Sequence, residues 1–180
     1  MLFQLRRIAK IRSYLSVDSV NKLCIALILS RLDYCNSLLA DLPDKLMYKL
    51  QRIQNHAARL VLRKTRRSNA SELLRTLHWL PVRARIEYKI SIICFQIVTL
   101  NCMPSYLSDL VCHYTPSRTL RSQDENLLSV PRFSLKSFGK RSFSVFGPIT
   151  WNSLPSTLRQ IQSLATFKKQ LKTHLFRKYL

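Results

Sequence analysis

Residues 45–63 read KLMYKLQRIQNHAARLVLR, and their spacing decides the fold. Lys45, Lys49, Arg52, His56, Arg59 and Arg63 step by 4, 3, 4, 3 and 4 positions. At ~100° per residue they share an arc of roughly 80° on one helix face. Leu46, Leu50, Ile53, Ala57 and Leu60 keep the same spacing about 110° further round, which predicts one stripe that packs and one that meets a partner. Over residues 45–71 there are eight Lys and Arg and no acid. A solvated helix interleaves Glu with Lys at i,i+4, whereas the pairs Lys45/Lys49 and Arg59/Arg63 repel by ~0.2–0.5 kcal/mol each. A negative partner would offset that repulsion. The readings are a nucleic-acid backbone first, then an acidic protein or lipid surface, and last an ordinary solvated face.

The rest of the chain supports a folded, basic protein. Its 180 residues are 47% hydrophobic, enough for a core in one domain or two small ones. Thirty Lys and Arg against nine Asp and Glu give a formal charge of +21 and a pI near 10.5, a balance that speaks to partners rather than to fold. The odd set Cys24, Cys35, Cys94, Cys102 and Cys112 reads as reduced thiols in a reducing, nuclear or cytoplasmic compartment. The apolar run 23–29 is too short to span a bilayer, and 86–100 carries Glu87 and Lys89, so no membrane partner is expected. The N-terminal helix lacks a small-residue cleavage site and is not read as a signal peptide.

Outward from residues 45–63, the helical period continues in both directions. Leu2, Leu5, Ile8 and Ala9, with Arg6, Arg7, Lys10 and Arg12 between them, predict an amphipathic helix that stops near Ser13. Ser16 caps a second helix, with Asp18 in its first turn, running to Ala40. Asp41, Pro43 and Asp44 mark a break and a new start. Asn69 and Glu72 resemble a capping box for a short helix through Leu77. Pro81 opens a helix over 82–100 that is apolar nearly all round its second half, and a short helix follows over 104–111. The style changes at His113: residues 113–155 hold both glycines and four of the seven prolines, and the alternating runs 127–133 and 142–146 predict a small β-hairpin or extended strap. A last amphipathic helix over 164–179 places Leu164, Phe167, Leu171, Leu175 and Phe176 on one face and Lys168, Lys169 and Lys172 on another.

Catalytic constellations are missing. The adjacent acids Asp124 and Glu125 lie in a polar loop, Asp33 reads as the partner of Arg31 or another base, and Gly139 and Gly147 build no phosphate-binding loop. Neither Cys-x-x-Cys nor His-x-x-x-His occurs, so zinc would need long-range convergence of Cys112 and His113 with Cys94 or Cys102. No cofactor, no metal and no catalysis by this chain alone are expected. Trp79 and Trp151 offer faces for bases, but each reads better as a core indole. Arg118 and Arg121, in TPSRTLRS, either grip phosphates, or cap helix carbonyls or tie the strap to the helical part.

Eight blocks carry a family resemblance in order: FQLRRIAKIRSYLS, SRLDYCNSLLADLP, LQRIQNHAARLV, LHWLPVRARIEYKI, MPSYLSDL, YTPSRTLRS, WNSLPSTLR and FKKQLKTHLF. From Phe3 to Leu180 the chain resembles the C-terminal region of reverse transcriptases from jockey-like non-LTR retrotransposons (LINE elements). The parent family carries an endonuclease and then fingers and palm with an Asp-Asp polymerase motif, and what is similar here would be the thumb and the segment beyond it. The resemblance implies that the helices through Arg63 lie beside a primer–template, with the parent's palm and fingers as neighbours. It also implies an RNA-directed DNA polymerase whose Asp-Asp motif this chain lacks. Met1 falls inside a block that continues without a break in relatives, so a truncated element or gene fragment is expected.

The expected architecture is mainly α, a thumb-like helical bundle over 1–112, then a small β-hairpin or extended strap and a C-terminal helix over 113–180. The expected function is non-catalytic binding of RNA, DNA or an RNA–DNA hybrid through the backbone, without sequence specificity. Its candidate contacts are Lys45, Lys49, Arg52, His56, Arg59, Arg63, Lys64, Arg66, Arg67, Arg118 and Arg121. The alternative is a domesticated or remnant helical protein-interaction module with no nucleic-acid role.

Overall fold

A computed structural model describes residues 1–115, 126–135 and 139–180. Among these the chain is helical, in the order α1 (Leu2–Ile11), α2 (Val17–Cys24), α3 (Ser30–Asp33), α4 (Asp44–Val61), α5 (Ala70–Thr76), α6 (Val82–Val98), α7 (Ser105–Ser108), α8 (Phe143–Asn152), α9 (Ser156–Arg159) and α10 (Leu164–Tyr179). It forms two compact units. The first comprises Met1–Asn36, Leu42–Ile86 and Leu175–Leu180; the second comprises Ser37–Asp41 and Glu87–His174.

In the first unit, local chemistry starts the helices. Ser16 Oγ accepts the Ser19 N–H at 3.1 Å and caps α2, and Asp18 in the first turn pairs with Lys22 at 2.7 Å. Asn69 Oδ1 accepts the Ser71 N–H at 3.1 Å to open α5, while its amide nitrogen donates to Glu72. These side chains satisfy N–H groups that the first turn leaves without partners. Between α2 and α3 the helix widens by a π turn, Ile25–Leu29, that buries Ile28 and Leu29. The helix then ends at Asp33, not at Ala40: Tyr34 is extended and Cys35 has φ 49°. Asp33 takes a two-point grip from Arg85, Nε to Oδ1 at 2.7 Å and Nη2 to Oδ2, the geometry that suits a guanidinium to a carboxylate.

The core stripe of α4 is Met47, Gln54, Ala57, Ala58 and Val61, which centres roughly 180° from the basic ridge at ~100° per residue. The stripe expected from Leu46, Leu50, Ile53, Ala57 and Leu60 is therefore rotated; of these Ala57 alone is buried, and Leu46 is 44% exposed. A polar residue explains the shift. Gln54, 0% exposed, donates to the Leu80 carbonyl at 2.8 Å and accepts from Gln51 at 3.0 Å. Gln51 Oε1 in turn accepts the Val82 N–H at 2.9 Å, which fills one of the orphan donors at the start of α6.

The second unit is built on aromatic packing. The rings of Phe95 and Phe167 stack with centroids 4.3 Å apart, and Trp151, fully buried, lies 5.9 Å from Phe167. Burying side chains of this kind contributes about 1.5–3 kcal/mol each. Residues 37–41 belong to this unit because Lys140 Nζ pairs with Asp41 at 3.1 Å and Arg141 Nε donates to the Ala40 carbonyl at 3.2 Å. The expected β-hairpin is not formed. Among the described residues there is no strand, and the one bridge joins His113 to Leu128. Asn152 takes the place of a second strand, accepting the Leu128 N–H at 2.9 Å and donating to the Leu128 carbonyl at 2.8 Å. Residues 142–146, expected to alternate, open helix α8 instead, with Pro148 inside it. Burial of Val145, Gly147, Pro148, Thr150 and Trp151 overrides the weak helix propensity of glycine and proline.

Burial pushes the Cys24 thiol up to about 11 and that of Cys94 up to about 12, and Cys35, Cys102 and Cys112 are exposed free thiols. No group of three or more His, Cys, Asp or Glu gathers as a metal site among the described residues. None of their helices is long and apolar enough to cross a membrane.

Candidate nucleic-acid interface

Helix α4, about 27 Å long at ~1.5 Å per residue, places Lys45, Lys49, Arg52, His56 and Arg59 along one side of the first unit, while Arg63 lies in the turn beyond its end, where its Nη2 donates to the Arg12 carbonyl at 3.4 Å. Lys45, Lys49, Arg52 and Arg63 are exposed, and His56 and Arg59 are half-buried. Lys64, Arg66 and Arg67 follow in the exposed loop before α5, so nine of the eleven expected contacts form one continuous basic tract. Arg118 and Arg121 lie outside the described residues. Ion pairs join Asp18 to Lys22, Asp33 to Arg85, Asp41 to Lys140 and Asp44 to Arg83, and none of these four involves a ridge cation. Arg52 instead lies over the Tyr48 ring at 5.9 Å.

The C-terminal end of α4 is held by a side chain that its spacing did not single out. Arg12 follows α1 in a tight turn and is 7% exposed. Its Nε donates to the Leu60 carbonyl at 2.9 Å, Nη1 to the Leu15 carbonyl at 2.8 Å and Nη2 to the Val61 carbonyl at 2.8 Å. Two of these acceptors are last-turn carbonyls that the helix itself leaves unsatisfied, at the end where its dipole favours a cation. The chain then turns through Arg63 at φ 52°, and the Lys64 N–H returns to the Arg59 carbonyl at 3.0 Å. This is the closure that usually employs glycine. Here an arginine takes the left-handed position.

Two ridge residues have narrower roles than their spacing implies. Arg59 Nη2 donates to the Ser68 carbonyl at 3.2 Å, tethering the basic loop, while its Nε is buried without a partner. Burial first, and then Arg59, Arg66 and Arg52, lower the pKa of His56 below its ordinary value of 6.5. At neutral pH its imidazole is therefore uncharged, with one donor and one acceptor nitrogen.

Beside this end of the ridge, α1 and α4 enclose a groove of about 630 Å³. Leu2, Leu5, Ala9 and Leu60 form its apolar lining, and every charged residue on it, from Arg6 on α1 to Arg66 in the loop, is basic. Arg6 was legible only as one of several polar positions on an amphipathic helix; its part in a site comes from the packing of α1 along α4. Trp79 and Trp151 are buried and present no faces to a ligand. No protein-family model, curated protein or solved structure matches the chain.

Proposed function

We propose that this chain is a non-catalytic nucleic-acid-binding segment that tracks a phosphate backbone through α4 and the loop after it. One observation carries the reading. Lys45, Lys49 and Arg52 stand exposed on the face of α4 opposite the buried stripe, with Arg63 exposed in the turn after it, and among the described residues no carboxylate pairs with them. A helix with one face packed and the other uniformly cationic suits a polyanion whose charges repeat along a line. Contacts of this kind position a duplex without reading its bases. The family resemblance supports the same role and names the polyanion: the primer–template or RNA of a LINE reverse transcriptase, to whose C-terminal part this segment would correspond.

Fluorescence anisotropy with a labelled RNA–DNA hybrid and two unrelated DNA duplexes tests the proposal. Backbone recognition predicts affinities that do not depend on sequence, and for duplex DNA a log K against log salt slope near −4.5 if about five phosphates are neutralised. A flat salt response refutes it. Saturable binding to an acidic protein that survives nuclease treatment would favour the protein-interaction reading instead.

A further inference from the structure

The groove between α1 and α4 has features that a phosphate-tracking ridge does not need. A backbone track is a solvated line of charges, whereas this groove has an aliphatic lining of Leu2, Leu5, Ala9 and Leu60. Its volume falls within the range of pockets that hold a small organic group. Among the groups lining it is the half-buried Arg59. His56 and Arg59, which also line the groove, are planar side chains of the kinds on which splayed-out bases stack in single-stranded recognition.

We propose that this groove holds one unpaired nucleotide of a single strand, its base between the aliphatic lining and the planes of His56 and Arg59, its flanking phosphates on Arg6, Arg63 and Lys64. The inference rests on the backbone-binding reading and extends it from duplex to a strand end or single-stranded stretch. An acidic peptide satisfies the cations equally, but the planar side chains of His56 and Arg59 beside an aliphatic lining favour a base, with its flat ring faces.

The test compares two labelled ten-nucleotide strands of equal charge, oligothymidine and an oligomer of abasic sites, in anisotropy titrations with the full chain. The groove predicts that oligothymidine binds at least about ten-fold tighter, the scale of one stacked base. It also predicts that Ala9→Phe, a charge-neutral change at an exposed groove position, lowers oligothymidine binding to the abasic level. Equal affinity for the two strands in the native chain overturns the inference and leaves the backbone reading standing. Binding of neither strand, together with none to duplex or hybrid, overturns both. Displacement of bound oligothymidine by adenosine-rich strands, but not by a helical Glu/Leu peptide, supports the nucleotide; preferential displacement by the peptide assigns the groove to a protein and overturns it.

Discussion

Replacing Arg12 by methionine keeps an unbranched chain to fill the space of the arginine stem but removes all of its donors. Three carbonyls then lose charge-assisted hydrogen bonds of 2.8–2.9 Å. The Val61 contact is buried, while the Leu60 and Leu15 contacts are part-buried, so water can replace the arginine at the latter two and not at the first. A buried orphan carbonyl costs about 1–3 kcal/mol, and each partly resolvated one loses about 0.5–1.5 kcal/mol, for a total of about 2–6 kcal/mol. Against a domain stability of about 5–15 kcal/mol, that is a large fraction. Arg12→Lys restores the charge at the end of α4 but not the three-way geometry, so it is expected to recover about half of the loss. Urea unfolding followed by circular dichroism, with unchanged m-values, measures both. A loss below about 1 kcal/mol in the methionine variant would refute the view that Arg12 holds the end of α4.

Gln54→Leu strands the Leu80 carbonyl and should cost about 1–3 kcal/mol in the same assay, even though it replaces a polar residue with an apolar one in a core. Arg63→Gly relieves a left-handed backbone position by about 1 kcal/mol but gives up the 3.4 Å bond from Nη2 to the Arg12 carbonyl, so it should leave stability within about 1 kcal/mol of the native chain while weakening binding to duplex DNA; a larger loss would show that the φ of 52° carries no strain. His56 has a lowered pKa in the fold, so the folded state binds fewer protons than the unfolded chain. Its contribution to stability is complete above pH 6.5 and is lost as the pH falls below that toward the lowered folded value. His56→Gln should remove this pH dependence, and an unchanged profile between pH 7 and 5 would contradict it.

Features written in neighbouring residues were legible in the sequence. The Ser16 and Asn69 caps, the start of α4 after Pro43 and the basic face of that helix each depend on side chains a few positions apart. What could not be read depends on partners far along the chain. The buried stripe of α4 was misplaced because Gln54 looks solvated until Leu80 supplies its acceptor, and because Ala58 carries little hydrophobic signal. The helix after Ser16 ends at Asp33 rather than Ala40 because Tyr34 turns extended and Cys35 takes φ 49°, and neither residue type signals a stop. Glycine and proline in α8 pointed to extended structure, and aromatic burial decided otherwise. Arg12 belonged to an ordinary polar face by spacing, and its capping role appears only when α1 lies along α4. The same packing creates the groove.

The most direct measurement of the central claim is the salt slope for duplex DNA in the native chain and in Lys45→Ala/Lys49→Ala/Arg52→Ala. These three residues are exposed and make no hydrogen bond or ion pair within the described residues, so their removal changes the ridge rather than the fold. With each phosphate contact contributing about 0.9 to the slope, the account predicts a value shallower by about 2.7 in the triple variant, with circular dichroism unchanged. An identical slope in the two proteins would contradict it, because the cations of α4 would then not be the ones that meet the phosphates.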